Sequence, residues 1–505
     1  MSGCIGNSDP SAVSSPHEPV SSTPGDVGNI TTCDITCPDS YALYPYNIEG
    51  NAICLTDEMD YEGVPIIAPL LKTRGTMISI VWKDDADGFK KNKLDYTELD
   101  FEDVSEFSSC VAITFYETTL ESSNITNKKA IVVDSYENAL LAGPLAAILD
   151  VPILFYGETT NEALWRLGAR HASDIIAVGN LPYAEWTDVS LQIPQDVHEY
   201  TIDAAKSNGI VLDYLVVTNA DDNDGLRSYF PQNPNTPYTP HLSSFASLFA
   251  IYRNGLVISV ANGSKAPSPY TIDMGIEAVA GKLKQEGMKP RFLMMLGDSV
   301  SLPFSYYFGN TAIAPVAFEE KIATDNVYAS LKGVPGQGYD ADSTNGSYNY
   351  PKNAIAVDLA HGRIIAKNLS GLSMHFDRIV NYNEYLATNS APSTPQLNAN
   401  KNEWNNNAFG YNGFNAEWGW PEEIQTMMNL WMNGEFNIEE GSIKAKSIWP
   451  LSLNDDFAKY PAISNFVVSG ADHGSPQGNT IHHTDIMPVP PQRKCPIILL
   501  YRTDR

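Results

Sequence analysis

From residue 128 to 180 the chain alternates between short runs that are apolar at every position and longer runs with helical spacing. Ala130–Val133 has the composition of a strand buried on both faces. Asn138–Leu149 is apolar on all sides, with small residues where it would meet a sheet, and this predicts a buried helix. Val151–Tyr156 is the next strand, Thr160 caps a helix running to Leu167, and Asp174–Val178 is a third strand ending at Gly179. Strand, helix, strand, helix, strand at this spacing predicts right-handed crossovers and a parallel sheet.

A second series begins near Asp213. Tyr214–Thr218 reads as a strand running into an acidic loop, Asn219–Gly225. A helix over Leu242–Arg253, a strand over Gly255–Val260, a helix capped by Thr271 and reaching Glu286, and a strand over Arg291–Leu296 come next. Upstream, Ile66–Val111 shows short strand-like runs such as Thr76–Trp82 between charged turns. Residues 386–420 are rich in Asn, Trp and Gly without a period and read as a surface insertion. Pro421–Trp431 returns to helical spacing, and Ile463–Ser469 and Pro496–Tyr501 are the last strands. The expected class is α/β, a Rossmann-like parallel-sheet module followed by a second α/β domain. The expected units are a Ser/Pro/Gly tether over 1–28, one domain over 29–205 and another over 210–505.

At 505 residues the chain is too long for one core, which agrees with several units. Its formal net charge of −28 repels phosphate backbones and anionic headgroups, so nucleic-acid partners are excluded. No run of eighteen apolar residues occurs. The six cysteines stand at 4, 33, 37, 54, 110 and 495. Cys33 and Cys37 lack the spacing of a redox pair and have no second pair to complete a zinc site. If the protein is exported, disulfides among Cys33, Cys37, Cys54 and Cys110 are expected. Cys4 follows small residues and precedes the tether, as in a mature lipoprotein, and membrane attachment would be peripheral and only through a lipid on Cys4. Composition poor in Lys and rich in Asn, Thr and Tyr fits an extracellular or cell-surface place.

Three patterns invite a ligand. Asp221, Asn223 and Gly225 echo part of a calcium loop without its distal Glu, and the same residues make an ordinary turn. His482, His483 and Asp485, with His473, have the residue types of a zinc site, although adjacent residues of an extended segment point opposite ways. Trp404, Phe409, Tyr411, Phe414, Trp418 and Trp420 form either a carbohydrate or peptide platform or a self-packed loop.

Two family resemblances lie on these residues. Glu137–Leu154, then Leu164, Leu167 and Gly168, then Ile175–Gly179, resemble the putative cell-wall-binding repeat of type 2, as a single copy over residues 128–182. The second covers roughly Asp213 to the end. Its marks, in order, are Arg291–Asp298 followed by Leu302-Pro303, Thr324-Asp325-x-x-Tyr328 with Gly333, Ile355–Arg363 with its Gly362-Arg363 pair, Ile379-x-x-Tyr382, and Asp472-His473-Gly474-Ser475. This order resembles the gingipain-type cysteine peptidases, which have the caspase–hemoglobinase fold. The resemblance implies that His473 is the histidine of a catalytic dyad and that the Gly474 N–H helps bind an oxyanion.

The same resemblance implies a thiol after the last strand, about where residues 502–505 stand. No cysteine is there; Thr503 is the nearest hydroxyl. Cys495 precedes the strand, roughly 20 Å from the required place at ~3.3 Å per residue. Either the chain stops short of its nucleophile or the domain is a non-catalytic relative. The expectation is a cell-surface or secreted, cysteine-endopeptidase-like protein acting on polypeptide. The alternative is a non-enzymatic scaffold that binds a cell-envelope polymer. No cofactor is implied other than calcium at Asp221 and Asn223.

Overall fold

The computed structural model describes residues 52–55, 60–73, 79–82, 96–99, 103–120, 129–169, 171–182, 187–223, 226, 240–263, 265–310, 319–331, 347–348, 357–366, 369–380, 408–412, 446–447, 467–475, 478–479 and 498–504. Strands β1 (Ala52–Leu55), β2 (Ser79–Trp82) and β3 (Tyr96–Leu99) pair in parallel, with β1 central. Helix α1 (Val64–Thr73) lies between β1 and β2 in sequence, and α2 (Val104–Leu120) follows β3. The strand expected over Thr76–Trp82 is present as β2, and β3 is a second strand of the stretch, whereas its two ends are helical. At those ends Ile66, Ile67 and Leu70 form the buried face of α1, and Phe107 and Val111 that of α2. Tertiary packing outweighs a modest β preference.

The alternating region folds as its pattern requires. Strands β4 (Ala130–Val133), β5 (Ile153–Phe155), β6 (Ile175–Val178) and β7 (Val189–Leu191) form an all-parallel sheet in the order β5-β4-β6-β7. Its helices are α3 (Tyr136–Leu149), α4 (Thr160–Leu167) and α5 (Pro194–Ser207). Ser135 caps α3 by accepting from the Asn138 N–H, and Asp150 ends it in the left-handed region at φ 56°. Thr160 does not cap α4 as expected; it is the first helical residue, and its hydroxyl turns back to donate to the Phe155 carbonyl oxygen at 3.0 Å. β7 and α5 carry no pattern that the sequence reading detected.

The second four-stranded parallel sheet has the order β14-β10-β8-β9, from β8 (Tyr214–Thr218), β9 (Gly255–Ser259), β10 (Phe292–Leu296) and β14 (Ala360–Ile364). A 3-10 turn, Leu242–Phe245, leads into α6 (Ala246–Tyr252), so the expected single helix begins in a tighter turn. Helix α7 (Pro269–Gln285) starts two residues before Thr271: Ser268 is its cap, accepting from the Thr271 N–H at 3.1 Å, and Pro269 takes the first position. Helix α8 (Leu369–Val380) comes after β14. Strands β11 (Ser305–Asn310), β12 (Glu319–Thr324) and β13 (Ser347–Tyr348) make a small mixed sheet. In the C-terminal region β15 (Ala408–Asn412), β16 (Lys446–Ser447), β17 (Val467–Ser475), β18 (Gly478–Asn479) and β19 (Ile498–Asp504) form a further sheet, with β15, β17 and β19 parallel. The expected helix over Pro421–Trp431 and most of the 386–420 insertion lie outside the described residues.

Strand alternation sorts the apolar side chains into three clusters. Ile131, Val133, Ile176 and Val178 of one sheet share a central cluster with Val216, Val257, Met294 and Leu296 of the other. Helices α1, α3 and α6 fill the space between them, which is why α3 is apolar on every side. The opposite faces pack separately. Leu215, Val217, Leu256 and Ile258 meet Ile272, Ile276 and Leu283 of α7, while Ala130, Val132 and Leu154 meet Leu164 and Leu167 of α4. Each fully buried Leu or Ile contributes on the order of 2 kcal/mol. Helices also close two sheet edges. The β5 N–H of Phe155 donates to Ser108 Oγ of α2 at 3.0 Å, and His198 Nε2 of α5 bonds the Val257 carbonyl oxygen of β9 at 2.7 Å.

Candidate functional site

Ligands of open parallel sheets gather beyond the carboxyl ends of the strands, so the candidate site is made by the segments just past β8, β10 and β14. β8 ends in Thr218, buried, whose hydroxyl donates to the Leu296 carbonyl oxygen at 3.0 Å and ties β8 to β10. Asn219 comes next. Its Nδ2 donates to the Ser301 carbonyl oxygen at 3.1 Å and its Oδ1 accepts from the Asp221 N–H at 2.9 Å. β10 gives way to Gly297, at φ +151°, where a Cβ would stand 2.5 Å from Ser301 Oγ. Asp298 then turns the chain: its Oδ1 accepts from the N–H of Val300 at 2.9 Å and of Ser301 at 3.0 Å.

Arg363 of β14 locks this loop from below. One terminal nitrogen donates to three carbonyl oxygens, those of Gly297 at 3.0 Å, Asp298 at 3.1 Å and Leu302 at 2.7 Å. The rest of the guanidinium grips Asp325 two-pronged, at 2.9 and 2.7 Å, and lies over the Phe304 ring with 4.5 Å to its centroid. Tyr328, fully buried, donates its hydroxyl to the Pro303 carbonyl oxygen at 2.6 Å. Gly297-Asp298, Leu302-Pro303, Asp325-x-x-Tyr328 and Arg363 are thus one clamp around one loop. That explains their spacing in the sequence without giving any of them a chemical step. Gly362 has open space where a Cβ would stand, so sterics do not require it.

Asp222, which the sequence reading passed over in favour of its neighbours, is a buried acid at this edge. It is buried, and its carboxylate accepts from the Ser243 N–H at 2.9 Å and from Ser243 Oγ at 2.5 Å. Loss of solvent pushes its carboxyl up to about 8, the Asp298 charge adds to this, and the Ser243 bonds oppose it. The Ser243 hydroxyl also bonds the Tyr136 hydroxyl at 2.9 Å, at the start of α3. Tyr61 packs edge-on to Tyr136, with centroids 5.0 Å apart, and stacks on His241, with centroids 3.8 Å apart. An acidic residue just past the end of a buried strand was the available signal for Asp222.

Asp221 and Asn223 sit beside it, half-buried, in consecutive turns: the Asn223 N–H donates to the Asp221 carbonyl oxygen at 2.8 Å, and the Leu226 N–H to that of Asn223 at 2.9 Å. Among the described residues no group of three His, Cys, Asp or Glu side chains could hold a metal ion. Residues 224 and 225 lie outside the described residues. In the N-terminal sheet the crevice between β4 and β6 is filled from within. The Asp134 carboxylate accepts from the Asn180 N–H at 2.6 Å and from Asn138 Nδ2 at 2.7 Å, against Gly179.

His473 and Gly474 lie on β17. That strand was expected to end at Ser469 and runs on to Ser475, so both residues are inside it rather than beyond it. β19 runs parallel alongside, with His473 opposite Asp504 and Asp472 opposite Thr503. Gly474 pairs with Asn479 of β18. This sheet shares no strand with β14-β10-β8-β9. The side chains of β17 and β19, along with Cys4, Cys495, His482, His483 and Asp485, are outside the described residues. Cys110 is buried in α2 and disulfide-bonded.

The class that emerges is an α/β protein, part of whose C-terminal half is similar to a peptidase family. Residues 212–440 match the model of peptidase family C25, which begins where β8 begins and includes the whole clamp. The match ends before β17, so His473 and Gly474 lie beyond it. Two solved structures are similar. One, described as "Structure of Protease", is 14% identical, with 54% of this chain and 48% of that chain covered and a TM-score of 0.28. The other is Cwp8 from Clostridium difficile, 13% identical, with 50% of this chain and 46% of that chain covered and a TM-score of 0.28. The matched portion is about half the length of each. No curated protein matches.

Proposed function

We propose that this is an exported protein that acts on polypeptides through its peptidase-like half, with His473 as the proton-carrying residue. The observation that carries the reading is the family C25 match over 212–440, whose motif residues assemble into one clamp at the sheet edge where substrates of open parallel sheets bind. The parallel pairing of β17 with β19 supports the role of His473, because it sets that residue beside the segment where a nucleophile of this class would stand. In such a reaction a thiolate adds to the peptide carbonyl carbon, the C–N bond breaks, and the imidazolium gives its proton to the leaving amine. Water then releases the acyl group. Export is supported by the disulfide at Cys110, since such bonds persist in oxidising compartments.

A second reading, polypeptide binding without turnover, is favoured by the cysteine positions. Cys495 precedes β19, and Asp504, the partner of His473, lies six residues beyond Ile498, roughly 20 Å at ~3.3 Å per residue. Labelling the full chain with an electrophilic peptide inhibitor separates the two. Hydrolysis predicts one stoichiometric adduct on a single cysteine, lost in His473→Ala. Binding alone predicts retention of peptides with no adduct. Neither adduct nor retention contradicts both.

A further inference from the structure

We propose that β14 is a docking edge for an extended polypeptide segment that carries a bulky apolar side chain. Among the described residues β14 is the last strand of its sheet. Its side toward β10 is fixed at both ends, by the Ala360 N–H on the Arg291 carbonyl oxygen at 2.9 Å and the Gly297 N–H on the Ile364 carbonyl oxygen at 3.2 Å. Along a parallel strand successive residues turn their N–H and C=O to opposite sides. Ala360, Gly362 and Ile364 therefore face β10, and the main-chain groups of His361 and Arg363 face outward. Among the described residues no group bonds those outward atoms. The open row has a definite start: the outward N–H before it, that of Leu359, is taken by the Ala329 carbonyl oxygen at 3.0 Å.

Open edges invite other chains, and proteins usually cover them or guard them with charge. The far edge of this sheet is covered, because His198 of α5 bonds the Val257 carbonyl oxygen of β9 at 2.7 Å. On β14 the long charged side chain, Arg363, is folded onto the loop after β10 and does not guard the edge. The face beside the edge is also unfilled. Phe292 stands opposite Ala360 and Met294 opposite Gly362, so these four share one face. Met294 is buried in the central cluster, whereas Phe292 is 37% exposed and Ala360 and Gly362 are exposed. A glycine inside a strand weakens it and marks a close approach by another group. No described atom stands within 4 Å of a Cβ at Gly362, and its φ is not positive, so the fold itself gives no reason for glycine there. Ala360 and Gly362 thus leave a shelf beside the Phe292 ring, where a large side chain of a docked strand would lie.

The occupant is a polypeptide because alternating outward N–H and C=O groups are matched by another extended main chain, with alternate side chains giving the selectivity. The net charge of −28 selects against acidic segments. The inference rests on the polypeptide reading of the peptidase-family match, which includes β14, and needs neither His473 nor a thiol.

Amide exchange at single-residue resolution on the full chain tests this, with an excess of mixed short peptides lacking Asp and Glu as the probe. Without peptide, Gly362 and Ile364 are expected to be protected and His361 and Arg363 to exchange freely. With peptide, exchange at His361 and Arg363 is expected to slow at least tenfold. Slow exchange there without peptide overturns the proposal: independent of protein concentration it means that the chain covers its own edge, and rising with concentration it means that a second copy does. No slowing with peptide overturns it as well. His361→Pro removes one outward N–H and spares the ladder to β10, so retention of the peptides is expected to fall at least tenfold, while His361→Ala keeps the N–H and retains them. Equal retention by all three chains contradicts main-chain docking, and retained peptides with no excess of Phe, Leu, Ile or Trp contradict the shelf. Exchange on the wild type alone decides the case if the proline variant does not fold. Peptides retained without slowing at His361 and Arg363 sink the docking edge alone. Slowing that persists in His473→Ala with no cysteine adduct sinks the proposed chemistry alone.

Discussion

Arg363 and Asp325, 38 residues apart in sequence, meet as a two-pronged ion pair beneath the loop after β10, and both side chains are nearly buried. The pair would be of little value in isolation, because burying two charges costs much of what their attraction returns. Its worth lies in the three carbonyl oxygens that the same guanidinium satisfies. Arg363→Lys keeps the charge but loses the fork and the fan of donors. It is expected to destabilise the chain by about 3 kcal/mol, with Asp325→Asn costing a similar amount by leaving a buried guanidinium uncompensated. Urea unfolding of both variants measures this. In the double variant Arg363→Met/Asp325→Leu the cost is expected to fall short of the sum of the singles.

His198 sets a pH dependence of stability. Its ring is buried, and loss of solvent pulls its pKa below 6.5 despite the bond to the Val257 carbonyl oxygen. The unfolded chain therefore takes up a proton that the native chain refuses. The stabilisation is whole above pH 6.5 and is lost as pH falls below it. His198→Gln, which still donates to Val257, is expected to be about 1 kcal/mol less stable than the wild type at pH 8. The gap should narrow and close as pH falls to 5, measured by thermal unfolding across that range. A constant gap contradicts the buried neutral ring.

Gly143 shows how close the central helices stand. A Cβ there would lie 2.7 Å from both Cβ and Oγ of Ser247 on α6, and Ser247 Oγ already donates to the Leu140 carbonyl oxygen at 2.8 Å. On an exposed helix, Gly→Ala would gain about 1 kcal/mol. Here Gly143→Ala is expected to cost about 2 kcal/mol by overpacking. Adding Ser247→Gly should recover part of that loss, giving a favourable coupling in a double-mutant cycle read by chemical denaturation. Additive effects would contradict direct contact between α3 and α6 at this point.

Much of this architecture was legible in the sequence, for a physical reason. Strands such as Ala130–Val133 and Tyr214–Val217 are buried on both faces, so their apolar runs are uninterrupted and their crossovers fix a parallel sheet. Legibility failed where a segment's partner lies far away in sequence. The faces of α1 and α2 match their surroundings only after folding, and their Val, Ile and Phe content resembles that of strands. The clamp was visible as motif order, yet its role was not, because Arg363 and Asp325 become partners only through the sheet order. Asp222 was hidden by its more suggestive neighbours, Asp221 and Asn223. The calcium reading weighed composition, whereas burial singled out the residue between them.

The central claim is that the C-terminal half handles polypeptide with His473 at the working position. Its most direct measurement is retention and cleavage of an unbiased peptide library by the full chain, wild type against His473→Ala, with both peptide ends read by mass spectrometry. A recurrent set of retained or cut sequences is expected in the wild type, at least tenfold depleted in the variant while its thermal unfolding is unchanged. A library that passes through untouched, or an identical set from both proteins, would contradict the claim.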